Sequence, residues 1–201
     1  MICLTGQAGL SSDLATRLVP STLGYMDGGR SLSLAEGTVL ALISERPAHG
    51  FAMAQLTGPG GELGRIWHIP RPVVYRAIGR LDNAGLVAPQ AVESGRGPQR
   101  TIYAATKSGQ EAMADWLDTP VQHIRDVRSQ LLIKLALLDR AGTDPTPLLR
   151  RQIDILQPIA SAVATELPPR GFDATLAWRR AMATAALSFL DDLSRSGTSR
   201  A

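Results

Sequence analysis

The sequence predicts a mainly α-helical fold that contains one small β-hairpin and ends in a purely helical C-terminal part. Two observations lead to this fold class. Hydrophobic residues form 44% of the 201-residue chain and aromatic residues only 4%, so the core must consist mainly of Leu, Ala, Val and Ile. Their abundance beside only three Tyr favours helices over sheets. Clusters of Gly, Pro and Ser also divide the chain into segments of helix or strand length.

The first ordered element is predicted to be a helix. Residues 1–30 are rich in Gly, Ser and Thr without a sustained period, so we expect a disordered arm there, and a short disordered tail at 196–201. Ser33 and Glu36 have the spacing of a capping box, in which each side chain binds the backbone N–H of the other residue. The helix must end before Pro47, because the residue preceding a proline avoids the helical region.

Two more helices are predicted before the hairpin. The second helix spans residues 50–56 and is broken by the Gly- and Pro-rich segment 57–61. The third helix begins at Arg71-Pro72, because proline suits the first turn of a helix. It places Tyr75, Ile78 and Leu81 on one apolar face, and Gly85 forms its C-terminal cap.

A predicted β-hairpin follows the three helices. Strands are predicted at residues 86–93 and 99–104, joined by a Gly-rich turn at 94–98, and Thr106 caps the next helix. Three helices followed by a two-stranded hairpin form a winged helix-turn-helix domain, which we assign to residues 31–119. This is an inference about the fold, and a fold alone does not establish a function.

The following segment, residues 120–195, is predicted to be a helical dimerisation domain. Helices are expected at 123–140, at 148–166 and from Asp173 onward, and Pro158 is expected to kink or interrupt the second of them. The last helix has a wide apolar face, which either packs inside a bundle or forms the interface of a symmetric homodimer. The candidate dimer contacts are Leu131, Leu135, Met182, Ala186, Phe189 and Leu193.

Positive charge is concentrated in one stretch of the chain. The net charge is +3, but residues 1–64 carry −2, residues 65–107 carry +5 and residues 108–201 carry 0. A localised basic region is typical of a protein that binds a polyanion such as nucleic acid. A solvated basic face is the alternative, and charge by itself does not decide between them.

Several motifs in this stretch resemble the PadR family of transcriptional regulators. Pro47-Ala48-His49-Gly50-Phe51 is similar to the family's proline-x-His-Gly-aromatic corner, and the helix before it is similar to the family's first helix. The segment 74–87 resembles the recognition helix and its exit into the wing, and 95–109 resembles the wing tip and the start of the next helix. The resemblance covers residues 32–117, and it rests on four pieces in the right order and spacing.

The resemblance implies a DNA-binding regulator, with repression of a palindromic operator by a homodimer as the expectation. A small aromatic or amphipathic effector is also implied. The chain departs from the family where a Ser-x-Gly-Thr-like entry to the recognition helix is usual, because Pro70-Arg71-Pro72-Val73 stands there instead. The hydroxyl cap is thereby lost, which puts the family's usual operator preference in doubt.

The recognition helix and the wing provide the candidate DNA contacts. An α-helix fits the major groove, and its N-terminal residues meet base edges. Arg71 is expected to pair with guanine, a valine to touch a thymine methyl group, and Arg80 to meet phosphate. For Tyr75 a core role and a phosphate contact are equally plausible. The predicted contacts are Arg71, Val73, Val74, Tyr75, Arg76, Arg80, Arg96, Gln99 and Arg100.

Tryptophans are the candidate effector-binding residues, although a tryptophan on an apolar helical face is usually part of a core. Trp178 lies beside Arg179 and Arg180 and could suit an anionic aromatic compound, and Trp67 is the second candidate. Trp116 is expected to pack against the C-terminal helices.

Other functional classes find little support in the sequence. Phosphate-binding loops, nucleophile elbows and His-Glu-x-x-His patterns are absent, so we expect no enzyme. Cys3 and the three histidines are too dispersed for a metal site, and no cofactor is expected. No apolar run reaches membrane-spanning length, and no signal peptide is recognisable, so a cytoplasmic protein is expected. A metal-responsive winged-helix regulator and a protein-interaction module without DNA binding remain the alternatives.

Overall fold

The computed structural model describes residues 31–94, 99–168 and 171–198. The predicted N-terminal arm, the tip of the wing and the end of the predicted tail therefore lie outside the described residues. The described residues of the first half contain four helices and three strands, in this order: α1 (Leu34–Glu45), β1 (Ala48–His49), α2 (Gly50–Leu56), α3 (Arg71–Asn83), β2 (Val87–Glu93), β3 (Arg100–Ala105) and α4 (Lys107–Asp118). The predicted order of helices and hairpin strands is confirmed.

The predicted caps of the first and third helices are present. The backbone N–H of Glu36 donates to Ser33 Oγ at 3.3 Å, and the N–H of Ser33 donates to Glu36 Oε2 at 2.9 Å. Gly85 has a φ of 69°, a left-handed conformation that costs glycine little, and its N–H donates to the carbonyl of Asp82. The N–H of Leu86 reaches back to the third helix as well, so this end forms a Schellman motif that turns the chain into β2.

The sheet has one strand more than the sequence predicts. β1 pairs antiparallel with β3, with Ala48 opposite Tyr103, so the strand order is β1-β3-β2. β3 is therefore the central strand, and β2 pairs with it along the wing with an irregularity between Pro89 and Ala91. β1 therefore connects the corner between α1 and α2 to the central strand of the wing.

One core fills the winged domain, and Trp116 of α4 closes it. Leu40, Ile43 and Met53 are among its fully buried members. A Cβ atom on Gly37 would lie only 2.2 Å from the Trp116 ring, so α1 and α4 approach each other closely because residue 37 has no side chain. Trp116 thus packs closely on α1, and Lys134 of the C-terminal part lies over its ring.

The C-terminal part consists of helices that follow α4 directly: α5 (Ile124–Asp126), a π-helical turn (Val127–Leu131), α6 (Leu132–Arg140), α7 (Thr146–Thr165) and α8 (Ala174–Thr198). Pro158 does not interrupt α7, which continues through it. The side chain of Asp173 accepts the N–H of Leu176 and caps α8, as predicted for the start of that helix. α8 continues to Thr198, three residues into the segment for which a tail is predicted.

A second apolar core lies between α7, α8 and the segment after α4. It contains Leu131 and Ala186, which are 0% and 7% exposed within the chain itself. These two predicted dimer contacts are therefore core residues, which corrects their assignment to a partner surface. Leu135, Met182, Phe189 and Leu193 are only partly buried and stay candidates for that surface.

Buried polar groups hold the segment after α4 against the C-terminal helices. The amide of Gln152 in α7 is completely buried, accepts the backbone N–H of Val121 and donates to its carbonyl, both at 2.8 Å. Lys134 of α6 is also fully buried. Its ammonium group donates to the carbonyl of Thr119 and lies 4.8 Å from the centre of the Trp116 ring. Burial lowers the pKa of Lys134 to about 8, against a smaller opposing effect of Asp118.

No helix among the described residues has both the length and the apolar composition that a membrane span requires.

Candidate nucleic-acid interface

Helix α3 has a buried face and an exposed, basic face. The buried face consists of Val74, Ala77, Ile78 and Leu81. Two predictions are corrected here. Val74 is 0% exposed, so it packs in the core and cannot reach a thymine. Tyr75, assigned to the apolar face from its spacing, is instead 46% exposed. The exposed positions are Arg71, Pro72, Tyr75, Arg76, Gly79, Arg80, Asp82 and Asn83.

The loop before α3 fixes where the helix begins. Leu63 is completely buried, and the N–H of Ile69 donates to the carbonyl of Thr57 at 3.0 Å. The helix starts after Pro70 without a hydroxyl cap, as the sequence indicates. The carbonyl of Pro70 instead accepts the N–H of Val73 at 2.8 Å. The first turn of α3, with Arg71 at its exposed start, is therefore held by backbone contacts and by the buried loop.

Phe51 brings the recognition helix and the wing together. The Arg71 guanidinium lies 5.3 Å from the centre of the Phe51 ring, and that of Arg100 lies 4.9 Å from the same centre. Arg71 is also 5.6 Å from the ring of Tyr75. Cation–π contacts of this kind orient a guanidinium without neutralising it. One aromatic side chain of α2 thus gathers two cations that are 29 residues apart.

The residues around Phe51 hold it in place. His49 caps α2, because its Nδ1 accepts the backbone N–H of Ala52 at 3.1 Å, and its Nε2 lies 3.8 Å from the Glu93 carboxylate in β2. Gly50 contacts the ring of Tyr75, which a Cβ atom there would approach to 2.7 Å. Sequence reasoning did not select Phe51 as a functional residue. The proline-x-His-Gly-aromatic corner is the signal that marks its position.

The arginines of this surface differ in their electrostatic environment. In the part of the chain that the structure describes, Arg71, Arg76 and Arg100 have no carboxylate partner. Arg80 lies 3.6 Å from the buried carboxylate of Glu36, which holds it back towards α1. Three unpaired guanidinium groups on adjacent elements produce a positive potential that attracts a polyanion.

The other predicted DNA contacts differ in their exposure. Gln99 is exposed at the start of the returning wing strand, whereas Val73 is half-buried against the core. Arg96 lies outside the described residues, so its position stays a prediction. The geometry thus brings together Arg71, Tyr75 and Arg100 near Phe51, and Arg76 and Arg80 are exposed further along α3.

The two candidate effector residues lie in separate clefts. Trp178 is 66% exposed and lines a cleft of about 750 Å³ together with Met182, Ile159 and basic residues that include Arg128. Trp67 is 42% exposed and lines a different cleft of about 610 Å³ before α3. Arg128, in the π-helical turn, lines both.

The two arginines beside Trp178 already have partners within the chain. Arg179 lines its cleft but forms an ion pair with Glu166 at 2.8 Å. Arg180 donates to the carbonyl of Val163 at 3.2 Å. Of this pair, only Arg179 faces the cleft, so the remaining positive charge comes from the π-helical turn and the residues before it.

The described residues contain no cluster of three or more His, Cys, Asp or Glu side chains that could hold a metal ion. Cys3 lies outside them. His49 acts as a helix cap, as described above.

The comparisons with known proteins point to one family. Residues 39–115 match the family model described as the transcriptional regulator PadR-like family. This match runs from within α1 to within α4 and includes Phe51, Arg71, Arg76, Arg80 and Arg100. The curated proteins gave no match.

Solved structures give distant likenesses. Bacillus subtilis PadR in complex with operator DNA is 17% identical, with coverage of 82% of this chain and 96% of that one and a TM-score of 0.41. The same protein in complex with p-coumaric acid is 16% identical, with coverage of 82% and 96% and a TM-score of 0.37. The Vibrio cholerae virulence activator AphA is 20% identical, with coverage of 83% and 95% and a TM-score of 0.37. Over residues 39–115, which lie in its winged domain, this chain matches the PadR-like family of transcriptional regulators.

Proposed function

We propose that this protein regulates transcription by inserting the N-terminal half of α3 into the major groove of duplex DNA while β2 and β3 follow the backbone. The observation that carries the proposal is that the guanidinium groups of Arg71 and Arg100 both lie against the Phe51 ring. They lie on the two elements that a winged domain presents to DNA, and both are free of carboxylates within the described residues.

The residues divide by the part of DNA that they reach. Arg71, at the exposed start of α3, meets base edges, and a bidentate arginine–guanine contact discriminates against other bases by about 1–3 kcal/mol. Arg76 lies on the same exposed face. Arg100, opposite Glu93 at the turn end of the hairpin, contacts phosphate. Arg80 reaches phosphate only when it leaves Glu36, so its contribution is smaller.

A homodimer is the form that binds. One winged domain offers too few contacts for tight and specific recognition, and two copies double the site and require an operator with two-fold symmetry. Met182, Phe189 and Leu193 are the partly buried apolar residues of α8 that supply the interface, with Leu135 of α6. Repression follows if the bound dimer occludes a promoter.

An effector site fits the cleft at Trp178. The exposed indole offers a stacking surface, and Arg125, Arg128 and Arg179 supply positive charge. A planar aromatic anion is the ligand class that matches both features. The cleft is lined by residues of α5, the π-helical turn, α7 and α8, so binding there acts on the helical part that forms the dimer.

The proposed function is tested by selecting bound duplexes from a random pool at moderate salt with the full chain. We expect an enriched inverted repeat whose half-sites lie about one helical turn apart, because the two recognition helices of a dimer enter successive major grooves. Enrichment without symmetry would contradict the dimer. No enrichment, together with unchanged gel mobility of duplexes at low salt, would favour a protein-interaction module instead.

A further inference from the structure

A basic surface lies directly before the recognition helix. The loop that precedes α3 contributes Arg65, Trp67 and His68, and the π-helical turn of the C-terminal part contributes Arg128. All four side chains are exposed, and all four line the cleft of about 610 Å³ before α3. These four residues form the loop patch, which therefore combines groups from both parts of the chain.

The composition of the loop patch differs from that of a small-molecule pocket. Such pockets are lined predominantly by hydrophobic and aromatic side chains. Of the six residues that line this cleft, three are Arg or His, and the other three are Ile66, Trp67 and Leu132. This mixture suits the surface of a charged partner better than the enclosure of an apolar ligand.

The positive charge of the loop patch is not compensated. No Asp or Glu lines the cleft, and Arg65 and Arg128 form no ion pair within residues 31–94, 99–168 and 171–198. The acidic residues nearest to them in the sequence have other partners. Glu62 pairs with an arginine of α6, and Asp126 lies 3.8 Å from the guanidinium of its neighbour Arg125. Two uncompensated guanidinium groups at one place attract a polyanion.

The chain fixes the loop patch close to the proposed base contact. His68 precedes Arg71 by three residues, so their Cα atoms are at most about 11 Å apart. Successive phosphates of one strand rise about 3.4 Å along the duplex axis, so this distance corresponds to about three phosphates. Ile69 between them is buried, and its N–H donates to the carbonyl of Thr57 at 3.0 Å, which holds the loop against the winged domain.

We propose that Arg65 and Arg128 bind phosphates of the DNA strand that borders the groove entered by α3. The C-terminal part then contacts DNA itself, through Arg128, in addition to forming the dimer. Trp67 and His68 donate ring N–H groups to the same backbone. Such contacts fix the position of the protein on the duplex without reading its sequence. Arg128 also lines the Trp178 cleft, and it meets DNA when that cleft holds no ligand.

This inference rests on the proposed function, and its test uses the selected duplex and the full chain without added small molecules. R65Q/R128Q removes both charges, and R65K/R128K keeps them without the planar guanidinium fork. R128Q is compared with R150Q, because Arg150 of α7 is also exposed and belongs to the same part of the chain but does not line the cleft. Fluorescence anisotropy between about 50 and 200 mM salt gives the affinity and its salt dependence.

We expect R65Q/R128Q to weaken binding at least about tenfold and to flatten the plot of log affinity against log salt by about 3.6 units, because a dimer loses four phosphate contacts worth about 0.9 units each. R128Q alone should flatten it by about 1.8 units, and R150Q should leave it unchanged. R65K/R128K should keep the slope of the unmodified protein, because a phosphate contact requires the charge. The preference for the selected duplex over one with substituted bases should be the same in all variants.

The outcomes separate this inference from the proposed function. If the unmodified protein binds the selected duplex and R65Q/R128Q has the same slope, the loop patch does not contact DNA, and the proposed function stands. An equal loss of slope in R150Q, or a loss in R65K/R128K as large as in R65Q/R128Q, would also overturn the inference. An unmodified protein that binds no duplex at low salt would contradict the proposed function and the loop patch together.

Discussion

Alanine at position 71 is expected to lower the affinity for the selected duplex by about 30-fold or more. Each protomer loses one bidentate contact worth about 1–3 kcal/mol, and a dimer loses two of them. Base preference should relax at the contacted position, because the remaining phosphate contacts carry no sequence information. Fluorescence anisotropy with the selected duplex and with a duplex mutated at that position measures both effects.

Arg100→Ala and Phe51→Leu are the matched comparisons for Arg71→Ala. Arg100→Ala should weaken binding to both duplexes by the same factor and reduce the salt dependence by about one unit of slope per lost phosphate contact. Phe51→Leu keeps an apolar side chain but removes the ring that orients both arginines, so it should reproduce part of each effect. If the three variants bind both duplexes as the unmodified protein does, the assignment of this surface is wrong.

The second large effect concerns the buried ammonium group of Lys134. Its pKa is lowered from 10.5 to about 8 in the folded protein by burial. Below pH 8 the Lys134 ammonium group is charged in both states, and burial makes this charge less favourable in the folded chain. The folded state is thereby destabilised by about 3 kcal/mol, because one pKa unit corresponds to about 1.4 kcal/mol. Between pH 8 and 10.5 the unfolded state binds more protons than the folded state. Stability should therefore rise with pH across this window.

Comparison with Lys134→Met isolates this titration from all others. Methionine has a similar length and no charge, so its variant lacks the pH-dependent contribution. From pH 7 to pH 10 the free energy of unfolding of the unmodified protein should rise by about 2 kcal/mol relative to the variant. Urea unfolding of both proteins at each pH provides the measurement. A constant difference between them would show that Lys134 has the same pKa in the folded and unfolded chains.

Local sequence signals predicted most of the winged domain. Ser33 with Glu36, proline at the start of α3 and Gly85 at its end each act within a few residues, so their caps could be predicted from spacing alone. β1 could not, because its two residues form a strand only by pairing with β3. A strand of that length has no periodicity to detect.

The face of α3 shows where periodicity stops being informative. Val73, Val74 and Tyr75 are consecutive apolar residues, so more than one phase of the helix is compatible with the sequence. The packing partners decide between them. Val74 packs in the core, whereas the edge of the Tyr75 ring lies against Gly50 of α2, which has no side chain. Tyr75 therefore lies beside Arg71 on the exposed side.

Contacts between distant elements account for the remaining differences. Nothing local indicates that Phe51 contacts both Arg71 and Arg100, or that Lys134 is buried against Trp116. The apolar pattern also does not distinguish a core from an interface, so it predicts a partner contact for Leu131 although the chain buries this residue itself. These features depend on how separate segments pack against each other. A segment has the same composition whether its apolar face packs in a core or in an interface.

The salt dependence of duplex binding tests the central claim most directly. Anisotropy titrations of the selected duplex between about 50 and 200 mM salt should give a linear plot of log affinity against log salt concentration. About three phosphate contacts per protomer predict a slope near −5 for the dimer. Absence of binding at the lowest salt, or an affinity that does not change with salt, would show that the surface around Arg71 and Arg100 does not contact DNA.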